Sequence, residues 1–191
     1  MNFFILSQSF ATMASSISFP FYLLFIKNIG SNFSSFGFAY GLFTLSSALF
    51  HRLAGTAADR IGSRYLLIGY AWGMAFTFLL IPEVESIAGV YLMQVVLGFL
   101  GAVQKTCEKT MAGEVFQGIK AGRKIGKYHF WTSLFASFAV FATGVLIDFF
   151  TISFIFYIGS FLFAGSGITL LFYKPRGRKG HSAKDLAAEN G

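Results

Sequence analysis

Residues 55–64 read GTAADRIGSR. Two Gly, one Asp and two Arg fall within ten residues, while both flanks are apolar, SSALFHRLA before and YLLIGYAWG after. A charged, glycine-bearing turn between two greasy runs is what a chain shows where it leaves a hydrocarbon layer and re-enters it. The reading of the protein therefore depends on how many such runs there are and where their charges sit.

The chain has 191 residues, 55% hydrophobic and only 12% charged, with 26 Phe. A soluble domain carries about twice that charge. Six hydrophobic segments stand out, Phe3–Ile26, Phe36–Ala54, Tyr65–Ile81, Ile87–Val103, Tyr128–Ile147 and Ile152–Tyr173. Each has roughly the 17–25 residues that a helix needs to cross a bilayer core. Inside that core the backbone has no water to bond, so helix is the expected form. A membrane barrel needs ~10-residue alternating segments, and these runs are longer and apolar all round. The opening stretch MNFFILSQSFATMASS has no basic n-region and runs on to Ile26, so it is read as a retained first helix rather than a signal peptide. With one cysteine, Cys107, no internal disulfide is possible.

Net charge is +7, and its distribution matters more than its size. Of fifteen Lys and Arg, only Lys27 falls on the side shared by the connections after helices 1, 3 and 5, which also hold Glu83, Glu85 and Asp148. The other fourteen fall on the opposite side or in the tail. Excess Lys and Arg marks the cytoplasmic face, so both termini are expected in the cytoplasm of a cell or inner membrane. No basic stripe with interleaved aromatics lies outside the segments, which argues against nucleic acid. The imbalance also forbids upside-down pairing, so a dimer of this chain would be parallel.

The spacing Gly55-x-x-x-Asp59-Arg60-x-Gly62-x-Arg64 resembles the signature loop that joins helices 2 and 3 in the major facilitator superfamily, and it falls in the matching loop. Tyr65 departs from that pattern, standing where the family often has a second basic residue. Read without the family, the same decapeptide is a charged turn anchoring two helix ends at headgroups. The stretch EKTMAGEVFQGIKAGRKIGKYHFW resembles the family's loop 4–5, with Arg123, Gly126 and Trp131 inside it. The likeness covers the chain to about Tyr173; residues 174–191 read as a basic, polar cytoplasmic tail or linker.

The resemblance implies an all-α integral membrane fold of six transmembrane helices over residues 1–173, a major-facilitator-type half built from two three-helix inverted repeats. Family members usually join two such halves about an axis along the membrane normal. A single half points to a parallel homodimer, or to a severed half of a longer transporter. The resemblance also implies a latch. Asp59 of one copy would approach the start of helix 5 of its partner, near Gly126, Lys127 and Tyr128, steadied by Arg60 or Arg64, where unsatisfied amides favour a carboxylate.

It further implies a mid-membrane cavity lined mainly by helices 1 and 4. On helix 1, Gln8, Thr12, Ser15, Ser16 and Phe19 share a broad face. They serve either as a polar lining or as packing residues that bond back to their own helix. Gln94 and Lys105 on helix 4, Tyr40 and Thr44 on helix 2, and Trp131 on helix 5 complete the candidates. Lys105 either snorkels to water or faces the cavity mouth, with Glu108 one turn away as a possible partner. Trp131, His129 and His51 also suit an interfacial belt. No Asp, Glu or His lies deep in a segment, and helix 5 lacks the G-P-x-x-G-G run of the family's drug–proton antiporters. Uncoupled or otherwise coupled movement of a small neutral or amphiphilic solute is therefore expected. No paired carboxylates, nucleophile–base pair or Cys/His cluster is present, so no enzyme activity, metal or cofactor is expected. The competing non-enzyme reading is a membrane scaffold or subunit that pairs with another membrane protein.

Overall fold

The computed structural model describes residues 2–28, 32–116, 118 and 120–173. Among them are six α-helices: α1 (Asn2–Asn28), α2 (Phe33–Ile61), α3 (Ser63–Leu80), α4 (Ile87–Val115), α5 (Ala121–Leu146) and α6 (Ile152–Leu171). A 3₁₀ turn at Ile81–Glu83 follows α3. The tail from residue 174 onward lies outside the described residues.

Every expected segment is a helix, but three of them run further than their apolar stretches. α2 continues seven residues past Ala54, α4 runs on to Val115, and α5 begins at Ala121 rather than near Tyr128. Charged residues mark where the hydrocarbon ends. They do not mark where helical hydrogen bonding ends, because a helix satisfies its own backbone in water as well as in lipid. The expected 55–64 turn therefore shrinks to one residue, Gly62, with φ +98°. That left-handed-side φ suits glycine alone. Asn32 caps α2 by accepting from Ser35 N at 2.9 Å, and Ser86 caps α4 by accepting from Gly89 N at 3.1 Å.

Among the described residues α2 to α6 qualify by length and composition as membrane spans, α3 counted together with its 3₁₀ turn. α1, 27 residues long, traverses the same depth. Phe4 stacks on Tyr128 at one end, and Ser18 lies beside Gly159 and Tyr22 beside Val84 toward the other.

The packing follows a simple rule. α1 packs on α5 and α6; α4 packs on α2 and α3; α3 and α6 pack on each other. Adding three to each helix number turns the first statement into the second and leaves the third unchanged. Three helices also reverse chain direction, so the bundle is two inverted three-helix repeats, an internal symmetry that the residue pattern does not display. The helices form an arc in the order α5, α1, α6, α3, α4, α2, with α2 and α5 at its free ends.

Since lipid is as apolar as Leu, close approach and interhelical hydrogen bonds hold such a bundle, each bond contributing about 0.6 kcal/mol. Ser46 donates to the Val95 carbonyl at 2.8 Å, Ser160 to the Ala75 carbonyl at 2.7 Å, and Ser7 and Ser166 pair at 2.9 Å. At Gly98 a Cβ would meet Ser46 Cβ at 2.8 Å and crowd the Phe43 carbonyl, so α2 and α4 touch through a position that admits no side chain.

Candidate functional site

Between the arms of the arc lies a cavity of about 320 Å³. One wall is α2, where Phe36, Tyr40 and Phe43 stack in a ladder, with near-parallel rings 6.4 and 6.0 Å apart. These positions recur at three- and four-residue steps, so one face of the helix carries all three rings. The opposite side is α1, with Ser15, Ser18 and Tyr22. α4 contributes Gln94, Leu97, Gly101, Gln104 and Lys105, again a single stripe at helical spacing. Tyr70, Met74 and Phe78 of α3 close the back. Gln94 is buried and its amide faces the Tyr22 hydroxyl. Ser15 faces the Tyr70 hydroxyl while donating to the Ala11 carbonyl at 3.0 Å.

Of the residues singled out in the sequence, Ser15, Tyr40, Gln94 and Lys105 come together on this cavity. Others lie elsewhere. Gln8 is buried among helices with its Oε1 unpartnered. Thr12 donates to the Gln8 carbonyl at 2.6 Å, and exposed Thr44 donates to the Gly41 carbonyl at 2.9 Å. Ser16 is half-buried and off the wall. Trp131 lines a separate, more open pocket of about 350 Å³ with Lys127, Phe135 and Phe3. The side chain of Phe19 lies outside the described residues. Among the described residues α5 supplies nothing to the wall, whereas α3 supplies Tyr70, Met74 and Phe78. Apart from Tyr40, the aromatic residues on the wall do not stand out in the sequence, because a Phe facing a cavity and a Phe facing lipid look alike.

At the basic end of the bundle, the 55–64 segment divides. Gly55 lies inside α2 facing Thr106 of α4, and Asp59 and Arg60 are exposed. Arg64 reaches α6, donating from Nε to the Leu170 carbonyl at 3.2 Å and from Nη2 to the Leu171 carbonyl at 2.8 Å, with its guanidinium 5.7 Å from the Tyr65 ring centre. Nearby, burial and the Glu114 carboxylate raise the Tyr173 hydroxyl above its ordinary pKa, and Arg64 pulls it the other way.

The start of α5 also moves. Of its first-turn amides, Ala121 N donates to the Gly118 carbonyl and Lys124 N to the Lys120 carbonyl, both at 3.2 Å, which leaves Gly122 and Arg123 without a backbone acceptor among the described residues; Gly126 and Lys127 lie in the second turn, both exposed. Lys120 precedes the helix at φ +65°, and no side chain caps it. Its first turn carries Arg123 and Lys124 and no acid, an arrangement the helix dipole disfavours. Tyr128 is buried, stacked on Phe4 at 5.6 Å, and donates to Glu108 on α4. Glu108 is therefore engaged across to α5 rather than along its own helix with Lys105. Among the described residues no cluster of His, Cys, Asp and Glu could hold a metal ion, and Cys107 is buried.

Two comparisons with known proteins bear on this arrangement. The family model described as Major Facilitator Superfamily matches residues 4–189. The chain is also 48% identical over 158 residues to YitZ of Bacillus subtilis (strain 168), described as an uncharacterized MFS-type transporter, in a match that covers 83% of this chain and 96% of that relative.

Proposed function

The chain belongs to the major facilitator superfamily of membrane transporters, and from that premise we propose that it carries a small solute by alternating access as a parallel homodimer of half-transporters. The observation that carries this reading is the open arc. Its terminal helices α2 and α5 are each only 17% buried over their spans, against 33–44% for α3, α4 and α6, and the cavity lies between the arms they bound. A second copy, related by an axis along the membrane normal, would set α2 of one against α5 of the other and enclose the two cavities as one. The basic end faces the cytoplasm on the positive-inside rule, which puts both termini there and makes the pair parallel.

In this assembly Asp59 of one copy meets the first turn of α5 of the other at Gly122 and Arg123, whose amides have no backbone acceptor among the described residues, and its charge offsets Lys120 and Arg123. That contact shuts the cytoplasmic side, and its release lets the copies rock. Asp59, Gly62 and the start of α5 are thus gate residues, while Tyr40, Gln94 and Lys105 belong to the solute path.

A thiol placed in the path tests the reading. A Cβ at Gly101 meets nothing closer than the Phe43 ring at 3.5 Å, so Gly101→Cys in a Cys107→Ala background is accommodated. Alternating access predicts labelling by a membrane-impermeant thiol reagent from each face of a vesicle in turn. Labelling from one face only would favour a scaffold that pairs with another membrane protein and transports nothing.

A further inference from the structure

The cavity wall holds one formal charge. Its described lining residues are hydroxyls, amides, aliphatics and aromatic rings, apart from Lys105. The carboxylate best placed to neutralise that ammonium is Glu108, one turn along α4, and it is taken up by Tyr128 on the α5 side. Lys105 makes no hydrogen bond or ion pair to any other described residue. A lone cation beside low-dielectric aromatic walls projects its field into the cleft rather than losing it to a counter-charge.

The remaining lining has a matching polarity. The ladder of Phe36, Tyr40 and Phe43 offers flat apolar surface, and Gln104, beside Lys105, offers an amide donor. The volume of about 320 Å³ falls at the small end of the range for pockets that take organic ligands.

We propose that the solute is an amphipathic organic monoanion, its flat apolar body against the α2 ladder and its acidic head at Lys105 and Gln104. This rests on the transport reading above and narrows it from a neutral or amphiphilic solute to a charged one. A cation would meet like charge with no carboxylate on the wall to receive it. A neutral isostere would leave the ammonium uncompensated.

Three probes of one shape and different charge test it: naphthoate, naphthamide and naphthylmethylammonium, each titrated against the purified full chain in detergent. Affinity is read by calorimetry and by the rise in melting temperature that binding to the folded form produces. Naphthoate should bind about tenfold more tightly than the amide, as a charge-assisted contact implies, with the cation weakest. That preference should vanish in Lys105→Gln and persist in Lys105→Arg; position 105 is exposed, so both variants keep the fold. Equal binding of the three probes, preference for the cation, a preference that survives in Lys105→Gln, or no binding by any probe would each overturn the proposal. Thiol labelling of Gly101→Cys separates the two layers. Labelling from both faces without anion preference leaves transport standing and removes the substrate class; labelling from one face removes transport whatever binds.

Discussion

Arg64 and Leu170 are 106 positions apart in sequence, and the guanidinium of the first donates to the carbonyl of the second at 3.2 Å. A second nitrogen reaches Leu171 at 2.8 Å, so Arg64 caps the last turn of α6 from the first turn of α3. The carbonyls at a helix C-terminus lack intrahelical donors and carry partial negative charge, and a planar cation answers both needs. The signature segment thus joins two tasks, a cap within the chain by Arg64 and an exposed carboxylate at Asp59 facing outward.

Replacing Arg64 with Gln should loosen the end of α6 and cost about 1–2 kcal/mol, the range for a charged hydrogen bond at a part-exposed site. Arg64→Lys keeps the charge but loses the fork, and should fall between. Amide exchange at Leu170–Tyr173 should quicken in the same order, and unchanged exchange in Arg64→Gln would remove the cap.

Gly98→Val should be far more damaging than Gly101→Cys although both lie on α4. A side chain at Gly98 collides with Ser46 and the Phe43 carbonyl, whereas one at Gly101 makes ordinary contact. Overpacking of this kind costs about 1–3 kcal/mol or more. Parallel thermal melts of the two variants read the difference directly, and equal melting temperatures would refute the close α2–α4 approach.

Tyr128→Phe leaves the half-buried Glu108 carboxylate without its donor and should destabilise by about 1–3 kcal/mol. Glu108→Gln keeps an acceptor for the phenol and should cost less. If the two variants melted alike, the bond between α4 and α5 would carry little weight.

Much of this architecture is legible in the residues. Six runs of membrane length, a basic side and the 55–64 spacing suffice for the helices and the family. Helix ends are less legible, because Arg60 and Lys109 mark the edge of the hydrocarbon while backbone bonding continues past them. The cavity is half legible. Polar Gln94 and Ser15 stand out against an apolar background, but Phe36, Phe43 and Tyr70 do not. The same signal points to Gln8, which is buried among the helices with its Oε1 unpartnered, and to Thr12, whose hydroxyl bonds the Gln8 carbonyl. Repeat symmetry is not legible at all, since it resides in which helix touches which.

Asp59→Asn removes the charge that the proposed gate uses while leaving an exposed side chain of the same size. Its melting temperature should stay within experimental error and its solute flux should fall about tenfold, consistent with loss of a contact of roughly 1.4 kcal/mol. Full flux in Asp59→Asn would dispose of the gate.

Pairing of α2 with α5 between copies is the claim on which the transport reading stands. Leu49 of α2 and Leu134 of α5 are both exposed on those helices. Differently tagged chains, one Leu49→Cys and the other Leu134→Cys in a Cys107→Ala background, can be co-expressed and treated in native membranes with a short bifunctional thiol reagent. A cross-linked species carrying both tags is the predicted result. Thiols that react singly in folded protein, with no product bearing both tags, would contradict the parallel homodimer.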